Sequence, residues 1–134
     1  MKTVDVEGIG PAYAKTLAEK ANINTTEQLL EAGATRKGRQ ELVEKTGISN
    51  KLILRWINMA DLFRIKGIGA EYADLLEAAG VDTVKELAQR VPQNLHAALV
   101  ETNEKKKLVR RVPNQEMVAD WVQQAKSLPP KIEY

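Results

Sequence analysis

The sequence contains no cysteine and a single histidine, His96. The first absence excludes disulfides, thiolate metal sites and cysteine nucleophiles. The second leaves His96 with no histidine partner for a metal site, so its plain reading is a polar residue on a helix. Aromatic residues make up only 4% of the chain, so a core must rest on Leu, Ile, Val and Ala. No apolar run approaches the roughly 20 residues that span a bilayer. The opening Met-Lys-Thr-Val-Asp-Val-Glu-Gly lacks the apolar stretch of a signal peptide. These absences predict a cytoplasmic protein with no membrane segment. Charge of one sign is also scarce: 20 Lys and Arg stand against 18 Asp and Glu, a net charge of +2. The total is therefore no argument for nucleic acid, and only the clustering of charge can speak. Walker loops, nucleophile elbows and paired catalytic acids are missing as well. The chain is expected to be no enzyme and to need no cofactor or metal.

What the chain does have is repetition. Gly8-Ile9-Gly10-Pro11-Ala12-Tyr13-Ala14 returns as Gly67-Ile68-Gly69-Ala70-Glu71-Tyr72-Ala73. Ile23–Leu29 then matches Val81–Leu87 after a one-residue slip, Leu42-Val43-Glu44 matches Leu99-Val100-Glu101, and Trp56 with Ala60 matches Trp121 with Ala125. Matches that keep their order define two similar units, 1–64 and 65–128, followed by a tail at 129–134 that is expected to be frayed or extended.

Each unit reads as four helices. Tyr13, Ala14, Leu17, Ala18 and Ala21 recur at helical spacing after the first hairpin, as do Tyr72, Ala73, Leu76 and Ala79 after the second. Thr25 with Gln28, and Thr83 with Glu86, fit the capping box that opens a helix. A third helix runs from about Arg36 to Lys45 and stops at Gly47; its counterpart follows Pro92, which suits a first helical turn. Ser49 caps a fourth, whose apolar face holds Ile53, Trp56, Ile57 and Ala60. Met117, Val118, Trp121 and Val122 repeat that face. Both tryptophans read as core rather than as base-stacking residues. The expected fold is all-α, two four-helix units in one compact pseudo-symmetric domain, with the Trp121 helix folding back beside the first hairpin.

The Gly-Ile-Gly bends carry the chemistry. Glycine permits a tight left-handed turn and close approach of another backbone. The Ile between them can pin the loop into the core. The helix that follows offers unpaired N–H groups and the positive end of its dipole, a ready seat for a phosphate oxygen. Such contacts position a protein on the sugar-phosphate chain without reading bases.

Gly-Ile-Gly followed four residues later by Ala, at Gly8–Ala14 and Gly67–Ala73, resembles the helix-hairpin-helix motif of DNA repair and recombination proteins. A wider stretch, Trp56–Gly69 with Ala79–Arg90 and Trp121–Lys126, resembles an uncharacterised bacterial family, a domain of unknown function. The resemblances imply a tandem helix-hairpin-helix fold and non-catalytic, largely sequence-independent binding of DNA, duplex or single-stranded. In the DNA-binding form a Lys, Arg or small polar residue often stands two positions after the second Gly. Ala12 and Glu71 occupy that place here, and the Glu71 carboxylate would repel phosphate and supply its own anion to the helix end.

The first contact group is Gly8, Ile9, Gly10, Tyr13 and Lys15. The second is Arg64, Lys66, Gly67, Ile68 and Gly69. Two basic clusters would extend the footprint: Arg36, Lys37 and Arg39, and Lys105, Lys106, Lys107, Arg110 and Arg111, with Lys106 and Arg110 on one helix face. The plain reading of these clusters is a solvated surface. A protein-interaction or scaffold module, with a protein as partner, is the alternative that the near-neutral charge and Glu71 favour.

Overall fold

Small polar side chains start five of the helices in the computed structural model, which describes residues 1–134. The chain is all-α, with eight helices, a short 3-10 turn at Thr3–Asp5 and no strand. By contact it divides into two compact units, residues 1–61 with 131–134, and residues 62–130. No helix is long and apolar enough to cross a membrane.

Unit 1 begins with the 3-10 turn and continues through α1 (Gly10–Ala21), α2 (Thr26–Gly33), α3 (Arg36–Thr46) and α4 (Asn50–Leu62). The capping box at α2 is complete: the Gln28 N–H donates to Thr25 Oγ1 at 3.2 Å and Gln28 Oε1 accepts from the Thr25 N–H at 3.2 Å. Thr35 caps α3 and Ser49 caps α4. Gly47, at φ 72°, closes α3. Leu17, Leu29, Ile53, Trp56 and Ile57 are fully or almost fully buried and fill the unit's core.

The corner between α2 and α3 is unusually close. A β-carbon at Gly33 would strike the Ile57 side chain, and one at Gly38 would strike the Ala32 carbonyl oxygen. The first obstacle is a flexible side-chain end. The second is backbone that cannot swing aside. Gly38 therefore sits inside a helix against its intrinsic propensity because nothing larger fits there.

Of the tail at 129–134, expected to be frayed or extended, residues 131–134 are without helix or strand and are tied down. The Glu133 N–H donates to the Ala34 carbonyl at 2.7 Å, the Tyr134 hydroxyl to Asn58 Oδ1 at 2.7 Å, and Lys131 pairs with Glu31 at 3.3 Å.

Unit 2 comprises α5 (Ala70–Ala78), α6 (Val84–Ala88), α7 (Pro92–Lys106) and α8 (Gln115–Ser127). Here α8 packs on both α6 and α7, and α5 on α7, around Leu75, Leu76, Leu87, Leu99 and Trp121. Pro92 stands in the first turn of α7, and Asn114 caps α8 through the Met117 N–H at 2.8 Å. The second capping box is only half made. Thr83 Oγ1 accepts from the Glu86 N–H at 3.1 Å, but the Glu86 carboxylate is drawn one turn on to Arg90, at 3.3 Å. A charged partner outbids the neutral amide.

Two outcomes test the α2–α3 corner. Helix propensity alone would make Gly38→Ala stabilising by about 1 kcal/mol. The clash reverses the sign, so chemical denaturation should show a loss of about 1–3 kcal/mol, and a gain would refute the packing. Arg39→Ala should cost about 2–4 kcal/mol in the same assay, through lost charged hydrogen bonds and lost stem packing.

Candidate functional site

In unit 1, Gly8 and Gly10 adopt left-handed backbone, φ 91° and 64°, which any side chain would strain. Ile9 between them is buried, and its N–H donates to the Val6 carbonyl at 3.1 Å. Ile9 thus fixes the bend from inside rather than meeting a ligand, a correction to its expected contact role. Gly10 opens outward: a β-carbon there would meet nothing within 4 Å. It is also the first residue of α1, with Pro11 behind it and no acidic residue in the first turn. The early amides of that turn have no acceptor within the helix. Tyr13 and Lys15 are exposed on the next turn. The Tyr13 ring packs edge-on against Trp56, centroids 5.0 Å apart. The Trp56 indole N–H is itself buried without an acceptor. Lys15 makes a loose 3.9 Å pair with Glu19, both largely exposed, which leaves its ammonium in solvent.

A further cation sits at this bend. A β-carbon on Gly8 would lie 2.5 Å from the Arg55 guanidinium, so Arg55 rests directly on the glycine. Arg55 lies outside both basic clusters of the sequence. Its position immediately before Trp56, the residue that backs the hairpin, was the available signal.

In unit 2 the bend is differently made. Gly67 is left-handed, at φ 98°, whereas Gly69 has ordinary extended backbone, φ −99°. Ile68 is buried, as Ile9 is, and is likewise an anchor. A β-carbon on Gly67 would lie 3.0 Å from Trp121 Nε1, and Trp121 also packs on Tyr72, centroids 5.3 Å apart. The helix seated on this bend is therefore α8.

Gln124 of α8 clips the loop: its Oε1 accepts from the Lys66 N–H at 2.9 Å and its Nε2 donates to the Lys66 carbonyl at 3.1 Å. The same Nε2 donates to the Asp120 carboxylate at 2.9 Å. With Glu71 exposed in the first turn of α5, carboxylates stand close to this hairpin. Arg64 directs Nη2 to the Pro129 carbonyl at 2.7 Å, while the Lys66 side chain is exposed. Gln124 went unnoticed in the sequence because a glutamine on a helix is the least distinctive of polar residues.

The basic clusters fare unequally. Arg36 and Lys37 are exposed, but Arg39 is buried. Its Nη1 donates to the Gly33 and Ala34 carbonyls at 2.9 and 3.3 Å, and its Nη2 to the Glu133 carbonyl at 2.7 Å. Arg39 therefore leaves the expected footprint, its donors spent inside the unit.

In the second cluster, α7 ends at Lys106 and Lys107 turns left-handed, φ 51°. Arg110 and Arg111 then lie in the loop before α8, so Lys106 and Arg110 do not share a helix face. Asn103 pins that loop through both the N–H and the carbonyl of Val109, at 3.0 and 3.1 Å. The Tyr72 hydroxyl donates to the Arg111 carbonyl at 3.1 Å. The arginine loop is thereby tied to the first turn of the helix that follows hairpin two, a neighbourhood separated by 39 residues in sequence. Lys105 is held by Glu101 at 3.1 Å.

Elsewhere, burial pushes the Asp82 carboxyl up, a backbone hydrogen bond opposes it, and the charges of Glu86 and Glu77 add to the push. No group of three or more His, Asp or Glu side chains is placed to hold a metal ion.

No curated protein and no solved structure matches this chain. One family does, over residues 7–128: the chain belongs to the family described as Domain of unknown function (DUF4332).

Proposed function

We propose that the protein binds DNA without catalysis and largely without regard to base sequence, and that the Gly8–Gly10 bend of unit 1 is its principal contact. The observation that carries this reading is the open Gly10 position at the start of a twelve-residue helix with no acid in its first turn. Arg55 on Gly8 gives the bend a positive neighbour, and Lys15 stands exposed further along α1 as a second cation of the same helix. Amides and cations together suit a phosphate oxygen, since a helix N-terminus favours an anion and a nearby cation strengthens the hold.

Hairpin two is the weaker partner in this proposal. Glu71 opposes an incoming phosphate, and the Gln124 clip occupies the Lys66 backbone. Its compensation is the loop of Arg110 and Arg111, both exposed and held near α5 by Tyr72. Arg36 and Lys37 remain as outlying cations of unit 1. A protein-interaction role is favoured by a separate observation, the peptide segment 131–134 that unit 1 already holds.

Fluorescence anisotropy with a labelled DNA duplex and a labelled single strand tests the reading. At physiological salt the dissociation constant should fall in the range of about 10⁻⁶–10⁻⁴ M, and at 50 mM salt it should be tighter, as counterion release requires. Absence of binding to both forms at about 100 μM protein would remove the DNA reading. Within the same assay, Lys15→Glu should weaken binding severalfold and Glu71→Lys should strengthen it. An unchanged affinity for Lys15→Glu would take hairpin one out of the contact. An unchanged affinity for Glu71→Lys would do so for hairpin two.

A further inference from the structure

Two of the five buried polar residues of the chain, Arg39 at 5% and Asn58 at 8% exposed, direct hydrogen bonds at the same four-residue segment. Arg39 donates through Nη2 to the Glu133 carbonyl at 2.7 Å, and Asn58 Oδ1 accepts from the Tyr134 hydroxyl at 2.7 Å. The Arg39 guanidinium also lies over the Tyr134 ring, 5.8 Å from its centroid. On the backbone, the Glu133 N–H donates to the Ala34 carbonyl at 2.7 Å. At the near end Lys131 pairs with Glu31. Beside Tyr134 runs an open groove of about 440 Å³ lined by Arg36 and Gln40 of α3 and Asn50 and Leu54 of α4.

Chance draping of a chain end over a surface does not produce this pattern. Burying a guanidinium and a carboxamide is costly unless their hydrogen bonds are made, and here one partner of each belongs to the segment. The segment itself has no helix or strand to hold its shape, and Tyr134 is still 59% exposed. Its position is set by the groove, through both backbone groups of one residue and the ring and hydroxyl of the next. Those are the features by which a protein recognises a short peptide: main-chain bonds for affinity and a side-chain pocket for selectivity.

We propose that the surface formed by α2, α3 and α4 of unit 1 is a peptide-recognition site, selective for a short non-helical segment that presents one residue's backbone N–H and carbonyl followed by a tyrosine, and that residues 131–134 occupy it in cis. The partner it fits is a protein segment of the same chemistry. Such a partner must displace the resident copy, which competes at the millimolar effective concentration of a tethered ligand. Arg39 and Asn58 are the selecting residues: the guanidinium reads the carbonyl and the aromatic face, and the carboxamide reads the hydroxyl. The proposal stands independently of DNA binding, since neither hairpin takes part.

The test uses the full chain with Tyr134→Ala, which removes the ring and hydroxyl contacts of the resident segment and so weakens its hold, and a fluorescent Pro-Pro-Lys-Ile-Glu-Tyr peptide as probe. Circular dichroism and thermal melting first establish that the variant keeps its fold. The variant should bind the peptide at least about tenfold more tightly than the unsubstituted chain, whose own segment competes. A peptide ending in phenylalanine should bind about tenfold more weakly, because Asn58 loses its donor. A folded Tyr134→Ala chain that ignores the peptide at 2–3 mM, roughly the tethered concentration, overturns the proposal; so does equal binding of the tyrosine and phenylalanine peptides. Tyr134→Phe gives a second route should Tyr134→Ala not fold. It keeps the ring, so it should bind the peptide more tightly than the unsubstituted chain by the lost hydroxyl contact alone. No gain for that folded variant also overturns the proposal.

Discussion

A glycine bend can back onto a helix only where no β-carbon stands between them, and in each unit the first glycine of the hairpin meets that condition. Gly67 leaves room for the Trp121 indole, and Gly8 for the Arg55 guanidinium. The left-handed backbone of both residues turns the chain sharply at the same point. Ile9 and Ile68 then drop inward as anchors, and the tyrosine of the next turn lies against the tryptophan. Glycine, isoleucine, tyrosine and tryptophan form one connected device. Each hairpin therefore presents its outer face from a bend that its own side chains keep rigid.

The same scaffold carries opposite electrostatics in the two units. At hairpin one, the residue before the tryptophan is Arg55; at hairpin two, the residue before the matching tryptophan is Asp120. Ala12 on one side corresponds to Glu71 on the other. The consequence is local. A phosphate at the first bend would meet the Arg55 guanidinium and the early amides of α1, while at the second it would meet carboxylates and a glutamine-clipped loop. Because charges in solvent are screened within about 8–10 Å, a net charge of +2 says little about either site, and the neighbours of each bend decide.

Much of the fold was legible because its signals are local. Helical spacing, the Thr25 capping box, Gly47 and Pro92 each act within one or two turns, and the structure places a helix end at every one. The buried tryptophans followed from their apolar neighbours. Less legible were features set by distant partners. Nothing around Arg39 marks it as buried, because its burial depends on Glu133, 94 residues away. The capping box at Thr83 failed by half through competition from Arg90, a charge whose rotamer no pattern reveals. The helical reading of Arg110 missed the Asn103 side chain, which replaces a further turn by bonding both backbone groups of Val109.

Arg39 also shows why clustered positive charge is ambiguous. Three basic residues within four positions look like a surface patch, yet α3 turns about 100° per residue, which sets Lys37 apart from the face that Arg36 and Arg39 share, and of those two only Arg39 lies beneath the end of α2. Arg36 and Lys37 reach solvent, whereas Arg39 points under the α2 terminus. There the Gly33 and Ala34 carbonyls, which the end of a helix leaves without N–H partners in the helix itself, accept from Arg39, and Ala34 also from the Glu133 N–H. A lysine has the charge but not the planar fork that serves these carbonyls with one nitrogen and the Glu133 carbonyl with another. The arginine is thus required by geometry rather than by charge. Its second nitrogen is what turns a helix-capping residue into one that also binds a peptide backbone.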